Sequence, residues 1–110
     1  MMELDKETQE KIQELQSYDH SLQNLLMQKQ AFQFESNETE NAIEEVSKSK
    51  GDVFKIVGSI MIKTDNEKIL KELKRKSEHL SIRLKSIEKQ ESELTKKIEE
   101  LRSEVMKKIK

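Results

Sequence analysis

Val53-Phe54-Lys55-Ile56-Val57-Gly58-Ser59-Ile60-Met61-Ile62-Lys63-Thr64, or VFKIVGSIMIKT, sets two runs of β-branched, aromatic and methionine side chains on either side of a Gly-Ser pair. Runs of this composition favour extended backbone, and the glycine can supply the positive φ of a tight two-residue turn, so the stretch predicts a β-hairpin. Lys50-Gly51-Asp52 supplies the break that precedes it. A two-stranded hairpin is marginal alone and exposes both of its edges, which makes it an expected assembly platform that pairs with other hairpins or chains. The residues expected to carry that role are Val53, Phe54, Ile56, Val57, Gly58, Ile60, Met61 and Ile62. An apolar strand within a globular core is the competing reading, but the flanking sequence offers no conventional core around it.

On both sides of the hairpin the period changes from two to seven. In the first flank Leu15, Leu22 and Ile43 form one series and Leu4, Tyr18, Leu25, Phe32 and Val46 the interleaved one. The same phase also carries Thr8, Lys11, Lys29, Ser36 and Thr39 onto the seam, so its best apolar section is Leu15 to Phe32. Ile12 and Leu26 flank the seam and widen it. The second flank is cleaner, with Leu73, Leu80, Ile87, Leu94 and Leu101 interleaved with Leu70, Leu84, Ile98 and Val105, interrupted by Ser77 and Glu91. A sustained seven-residue recurrence predicts a left-handed coiled coil.

Thr64-Asp65-Asn66-Glu67 marks the second helix start, with Thr64 as cap and Glu67 reaching back, or with Asp65 as cap one residue later. The expected organisation is a single domain over 1–110: a helix over 5–49, the hairpin over 53–63 and a helix over 65–109. Each helix spans roughly 40 to 45 residues, about 60–68 Å of rise. Two equal helices about a short insertion favour an antiparallel return, in which the arms bury their seams against each other and both termini meet at one end. The fold class is therefore all-α dominated with a small β-hairpin, built on a long antiparallel two-helix coiled coil. Parallel self-dimerisation of either helix is the alternative that periodicity alone leaves open.

Composition points the same way. Hydrophobic residues make up 33% against 39% charged, too little apolar material for an ordinary compact core but enough for a narrow seam. Zero Pro and two Gly leave long helices unbroken. Residues 1–50 hold five basic and eleven acidic side chains, a balance of −6, whereas 51–110 hold sixteen and eleven, a balance of +5. An antiparallel return would set these opposite averages side by side, which argues against nucleic acid as the partner. The start, Met1-Met2-Glu3-Leu4-Asp5, has neither the basic region nor the apolar run of a secretory signal, and no stretch is long enough to cross a membrane. A cytoplasmic protein is expected, and the zero Cys fits a reducing compartment.

Catalysis finds no support. Phosphate-binding glycine motifs and cysteine-rich fingers are absent, and His20 and His79 are not brought together by an antiparallel register. Glu44, Glu45, Glu99 and Glu100 read as solvated coiled-coil positions. Asn37-Glu38-Thr39 is a chance glycosylation triplet on a helix, and Phe34 is the least explained aromatic. Neither a cofactor nor a metal is expected.

YDHSLQNLLMQKQ over Tyr18–Gln30, VFKIVGSIMIKT over Val53–Thr64 and LSIRLKSIEKQESEL over Leu80–Leu94, in that order, resemble the prefoldin β subunit of archaea. The heptad pieces alone are unspecific; the central hairpin between equal helices is far more so. The resemblance covers most of the chain and implies an assembly of two prefoldin α and four β subunits, whose hairpins join an oligomeric β-barrel body from which coiled coils project. It implies an ATP-independent holdase that captures unfolded polypeptide at the arm tips and delivers it to a group II chaperonin. On that basis Met1, Met2, Leu4, Val105, Met106 and Ile109 are the expected client contacts; Leu4 and Val105 also lie on the seams, where closing the coiled coil is the competing reading. Methionine suits such a surface because its unbranched, polarizable side chain adapts to irregular partners. Lys107, Lys108 and Lys110 are the expected chaperonin contact, with a solubilising helix end as the competing reading. A structural coiled-coil adaptor for one native partner is the alternative function.

Overall fold

The structure is a computed structural model and describes residues 5–109. Its elements are helix α1 (Lys6–Lys48), strand β1 (Val53–Val57), strand β2 (Ile60–Thr64) and helix α2 (Asn66–Ile109). The chain divides into two compact units. One holds the residues up to Gln30 together with Lys85 onward, the other Ala31–Leu84. In each, a length of α1 lies antiparallel to a length of α2.

The seam follows the seven-residue phase through its polar positions as well as its apolar ones. Along α1 the least exposed positions include Thr8, Lys11, Leu15, Tyr18, Leu22, Leu25, Lys29, Phe32, Ser36, Thr39, Ile43 and Val46. Two threonines, at 2% and 4% exposure, are the most deeply buried of these. Thr39 tolerates this because its hydroxyl donates to the Glu35 carbonyl at 2.8 Å, one turn back in the helix. On α2 the buried apolar residues are Ile69, Leu80, Ile87, Ile98 and Val105. Ile82, five residues before Ile87, projects the other way and is 66% exposed.

In the unit containing residues up to Gln30, Lys11 meets Glu104 at 3.1 Å, Lys29 meets Glu91 at 3.0 Å, and the Lys97 ammonium sits 5.9 Å from the Tyr18 ring centre. In the Ala31–Leu84 unit Glu35 meets Lys76 at 3.1 Å, Glu40 accepts from Ser77 at 2.6 Å, and Arg83 lies 5.5 Å over Phe32. Within each unit, higher numbers on one helix meet lower numbers on the other, so the pairing is antiparallel.

Helix ends follow local chemistry. Asp5 caps α1, its carboxylate accepting the Thr8 N–H at 2.7 Å. Hydrogen bonding from the Thr8 hydroxyl and then from this N–H, aided by Lys108 and Lys11, lowers the Asp5 pKa against a smaller opposing cost of burial. At its other end α1 stops without a left-handed glycine, and the Asn66 amide donates to the Ser49 carbonyl at 3.2 Å. The second helix starts at Asn66, so that Asp65, one residue after Thr64, stands at the cap position. Thr64 pairs with Val53 in the sheet, and the carbonyl of Asp65 accepts the first helical bond, from Ile69 N–H at 2.9 Å.

Candidate functional site

The hairpin is antiparallel in the register Val53↔Thr64, Phe54↔Lys63, Lys55↔Ile62, Ile56↔Met61 and Val57↔Ile60. Gly58 adopts φ 62° while Ser59 stays at negative φ, the pattern of a type II′ turn whose twist matches paired strands. Alternate side chains point to opposite faces, so Val53, Lys55, Val57, Ile60, Ile62 and Thr64 share one face and Phe54, Ile56, Met61 and Lys63 the other. Lys55 reaches Glu72 at 3.5 Å, which ties the first face to α2.

Most of the apolar surface remains uncovered. Phe54, Ile56, Val57, Ile60, Met61 and Ile62 are between 43% and 73% exposed. The sheet has only these two strands among the described residues, so each outer edge carries backbone donors and acceptors without a strand partner. Apolar side chains on both faces and two open edges leave the hairpin, among the described residues, with backbone and side-chain surface that further strands would be able to cover.

The other expected site is divided. Asp5 and Lys108 approach to 3.8 Å, which sets the start of α1 beside the end of α2 within one unit. Val105 is buried in the seam and closes the helices on each other. Met106 is exposed and Ile109 half-buried. Lys107 faces water, whereas Lys108 carries the ion pair to Asp5. Met1, Met2, Leu4 and Lys110 lie outside the described residues.

The charge arrangement differs from the half-chain averages. Asp5–Lys108 and Glu35–Lys76 pair an acid of the first half with a base of the second, but Lys11–Glu104 and Lys29–Glu91 run the other way. Glu104 holds the Lys11 ammonium above its usual pKa, chiefly through their hydrogen bond. Tyr18 is likewise raised, by donating to Glu14 at 3.1 Å. The averages therefore mislead about individual partners, and much of the positive charge on α2 has no acid opposite it. Lys68, Lys71, Lys74 and Arg75 are exposed with no carboxylate within 4 Å among the described residues. This face was missed in the sequence, although the seven-residue phase already puts all four off the seam.

No group of three or more His, Cys, Asp and Glu side chains converges as a metal site among the described residues, and no helix there is long and apolar enough to cross a membrane. A hollow lies against Lys29, Glu91, Thr95 and Lys96, a polar lining that includes the ion pair already described. It offers no activated nucleophile beside a general base.

Two long antiparallel helices joined through an exposed hairpin define a class of coiled-coil subunit. The Prefoldin subunit family model matches residues 9–110. Prefoldin subunit beta of Pyrococcus furiosus is 38% identical over 96 residues, covering 86% of this chain and 82% of that protein. Its counterpart in Methanosarcina acetivorans is 39% identical over 95 residues, covering 84% and 81%. The crystal structure of the prefoldin beta subunit from Thermococcus strain KS-1 superposes with a TM-score of 0.89 at 34% identity, covering 97% of this chain and 96% of that one. The chain belongs to the prefoldin family, as the order of the three sequence segments implied, and is similar to its archaeal beta members over most of its length.

Proposed function

We propose that this chain is the β-type subunit of a cytoplasmic hetero-oligomeric holdase, built with two α subunits and four copies of itself. The observation that carries the reading is the hairpin: six large apolar side chains stand in water on a twelve-residue segment. Burying them against neighbouring hairpins would complete both faces and both edges at once, as a closed barrel does. The helices would then project from that body and present their far ends to a nonnative polypeptide.

Capture at those ends is burial of client apolar groups on Met106 and Ile109, joined by Met1, Met2 and Leu4. Val105 acts differently, by holding the helices together beneath them. Several weak contacts from several subunits would retain a client that no single one holds, without nucleotide hydrolysis. Lys107, Lys108 and Lys110 would steer the loaded assembly toward acidic surface on a group II chaperonin.

The test combines the chain with its α subunit, verifies a 2:4 assembly by native mass spectrometry, and follows aggregation of a chemically unfolded protein. Suppressed aggregation and transfer of the client to the chaperonin are expected. Normal aggregation with the verified assembly present would refute the holdase activity. Binding only to the native form of the same protein would instead identify an adaptor.

A further inference from the structure

We infer that the charged residues set into the seam, Lys29 and Glu91 above all, select the helix partner: they admit α1 against α2 and exclude parallel pairing of either helix with its own copy. The inference concerns how the coiled coil chooses its strands and does not rest on the function proposed above.

Both residues stand on the seam itself, in the series that otherwise carries Leu15 and Leu22 on α1 and Leu84 and Ile98 on α2. Their side chains are 25% and 28% exposed and meet at 3.0 Å, the least exposed ion pair among the described residues. Lys11 repeats the pattern on α1, also 25% exposed, and reaches Glu104 at 3.1 Å. By contrast Lys48 and Glu44, one turn apart on α1, pair in water. An apolar pair at the Lys29–Glu91 level would hold the helices more tightly, because the desolvation of two half-buried charges consumes most of their attraction. The charges forgo that stability, and what they add is discrimination between partners.

The apolar seam residues cannot supply that discrimination. In a parallel in-register pair every seam residue faces its own copy, and leucine packs against leucine there as well as it does in the antiparallel return. Charges respond differently. Two copies of α1 would bring Lys11 onto Lys11 and Lys29 onto Lys29, and two copies of α2 would bring Glu91 onto Glu91, each like pair partly desolvated and without a counter-ion on the seam. The antiparallel return meets none of these conflicts. It is also fixed in register: a one-heptad slip in one direction would present Lys97 to Lys11 in place of Glu104, and in the other Ile98 to Lys29 in place of Glu91.

The test exploits the absence of cysteine from the sequence. Leu22→Cys in the full chain places one thiol on the α1 seam, where it faces α2 and has no thiol partner. A disulfide requires the two Cα atoms about 5.5–6 Å apart, so a linked dimer reports α1 facing α1 at that level. Leu94→Cys reports on α2 in the same way. Under mild oxidation, adding Lys29→Leu with Glu91→Leu should speed formation of the linked dimer roughly tenfold over the reporter alone. Exchanging the charges, Lys29→Glu with Glu91→Lys, restores the opposite pair within the chain and the like pairs between copies, so linking should stay as slow as in the reporter alone. Helicity by circular dichroism checks that each variant folds. Lys29→Gln with Glu91→Gln removes the charges without adding apolar atoms and should speed linking in the same direction, by less.

Linking that is no faster in either the leucine or the glutamine variant would overturn the inference. So would a charge-exchanged variant that links as fast as the leucine one, because partner choice would then depend on something other than the sign of the facing charges.

Discussion

Ile82 and Ile87 have the same side chain, lie five residues apart on one helix and differ almost entirely in burial, at 66% and 6% exposure. Truncation of each to alanine therefore isolates what the seam contributes. At both positions the change gains a few tenths of a kcal/mol of helix propensity, which cancels in the comparison. At Ile87 it also removes packed apolar atoms. Core truncations of this kind cost about 2–5 kcal/mol, and a two-helix seam flanked by water belongs at the lower end, about 2–3 kcal/mol. At Ile82 the net effect should stay within about 0.5 kcal/mol. For a chain of this size that corresponds to a melting temperature lowered by about 8–20 °C for Ile87→Ala and by less than about 4 °C for Ile82→Ala. Helical circular dichroism at one fixed protein concentration measures both, because association with other subunits would shift each melting point by mass action. Equal losses, or a larger loss at Ile82, would mean that the outward face is covered and would refute the seam as the source of stability.

Replacing both Lys29 and Glu91 by Leu should raise stability by about 1–2 kcal/mol, since a half-buried ion pair gives way to apolar contact, whereas Glu91→Leu alone strands the Lys29 ammonium in the seam and should lower it. Thermal melts of the three variants measure this, and a double variant less stable than the single one would contradict it. Asp5 supplies a pH dependence. Its pKa is lower in the folded chain than the unperturbed 3.8, so its cap stabilises above that value and is lost as pH falls through the folded pKa. Asp5→Asn keeps a capping oxygen without the titration, so the melting-temperature gap between it and the parent should close on acidification. A gap that stays constant from neutral pH to well below that pKa would rule out the Asp5 carboxylate as its source.

Periodicity made the seam legible residue by residue, even where side-chain chemistry pointed elsewhere. Thr8 and Thr39 are poor core residues by type, yet the phase alone assigned them inward and both are buried. The position of a residue on a supercoiled helix is fixed by its neighbours seven residues away, while the cost of the buried hydroxyl is met locally, at Thr39 by the Glu35 carbonyl one turn back and at Thr8 by the Asp5 carboxylate. The start of α2 was less legible because Thr64 and Asp65 are both good caps. Pairing of Thr64 with Val53 across the hairpin decides between them, and this is a contact that no local motif encodes.

Ion pairs were the least legible, because half-chain charge averages do not say which rotamers reach across the seam. Lys11 and Lys29 occupy seam positions in an acidic half and draw Glu104 and Glu91 from a basic one. The tip residues raise a different difficulty, since Val105 satisfies the requirements of a seam and of a client surface by the same apolar character. Burial separates these roles for Val105 and Met106, one facing the partner helix and the other facing water. A sequence pattern can therefore specify where an apolar residue sits on the helix, while its purpose depends on whether another surface already covers it. The hairpin side chains meet that criterion most fully, being apolar, exposed on both faces and carried on open-edged strands, and for that reason the assembly surface is proposed there.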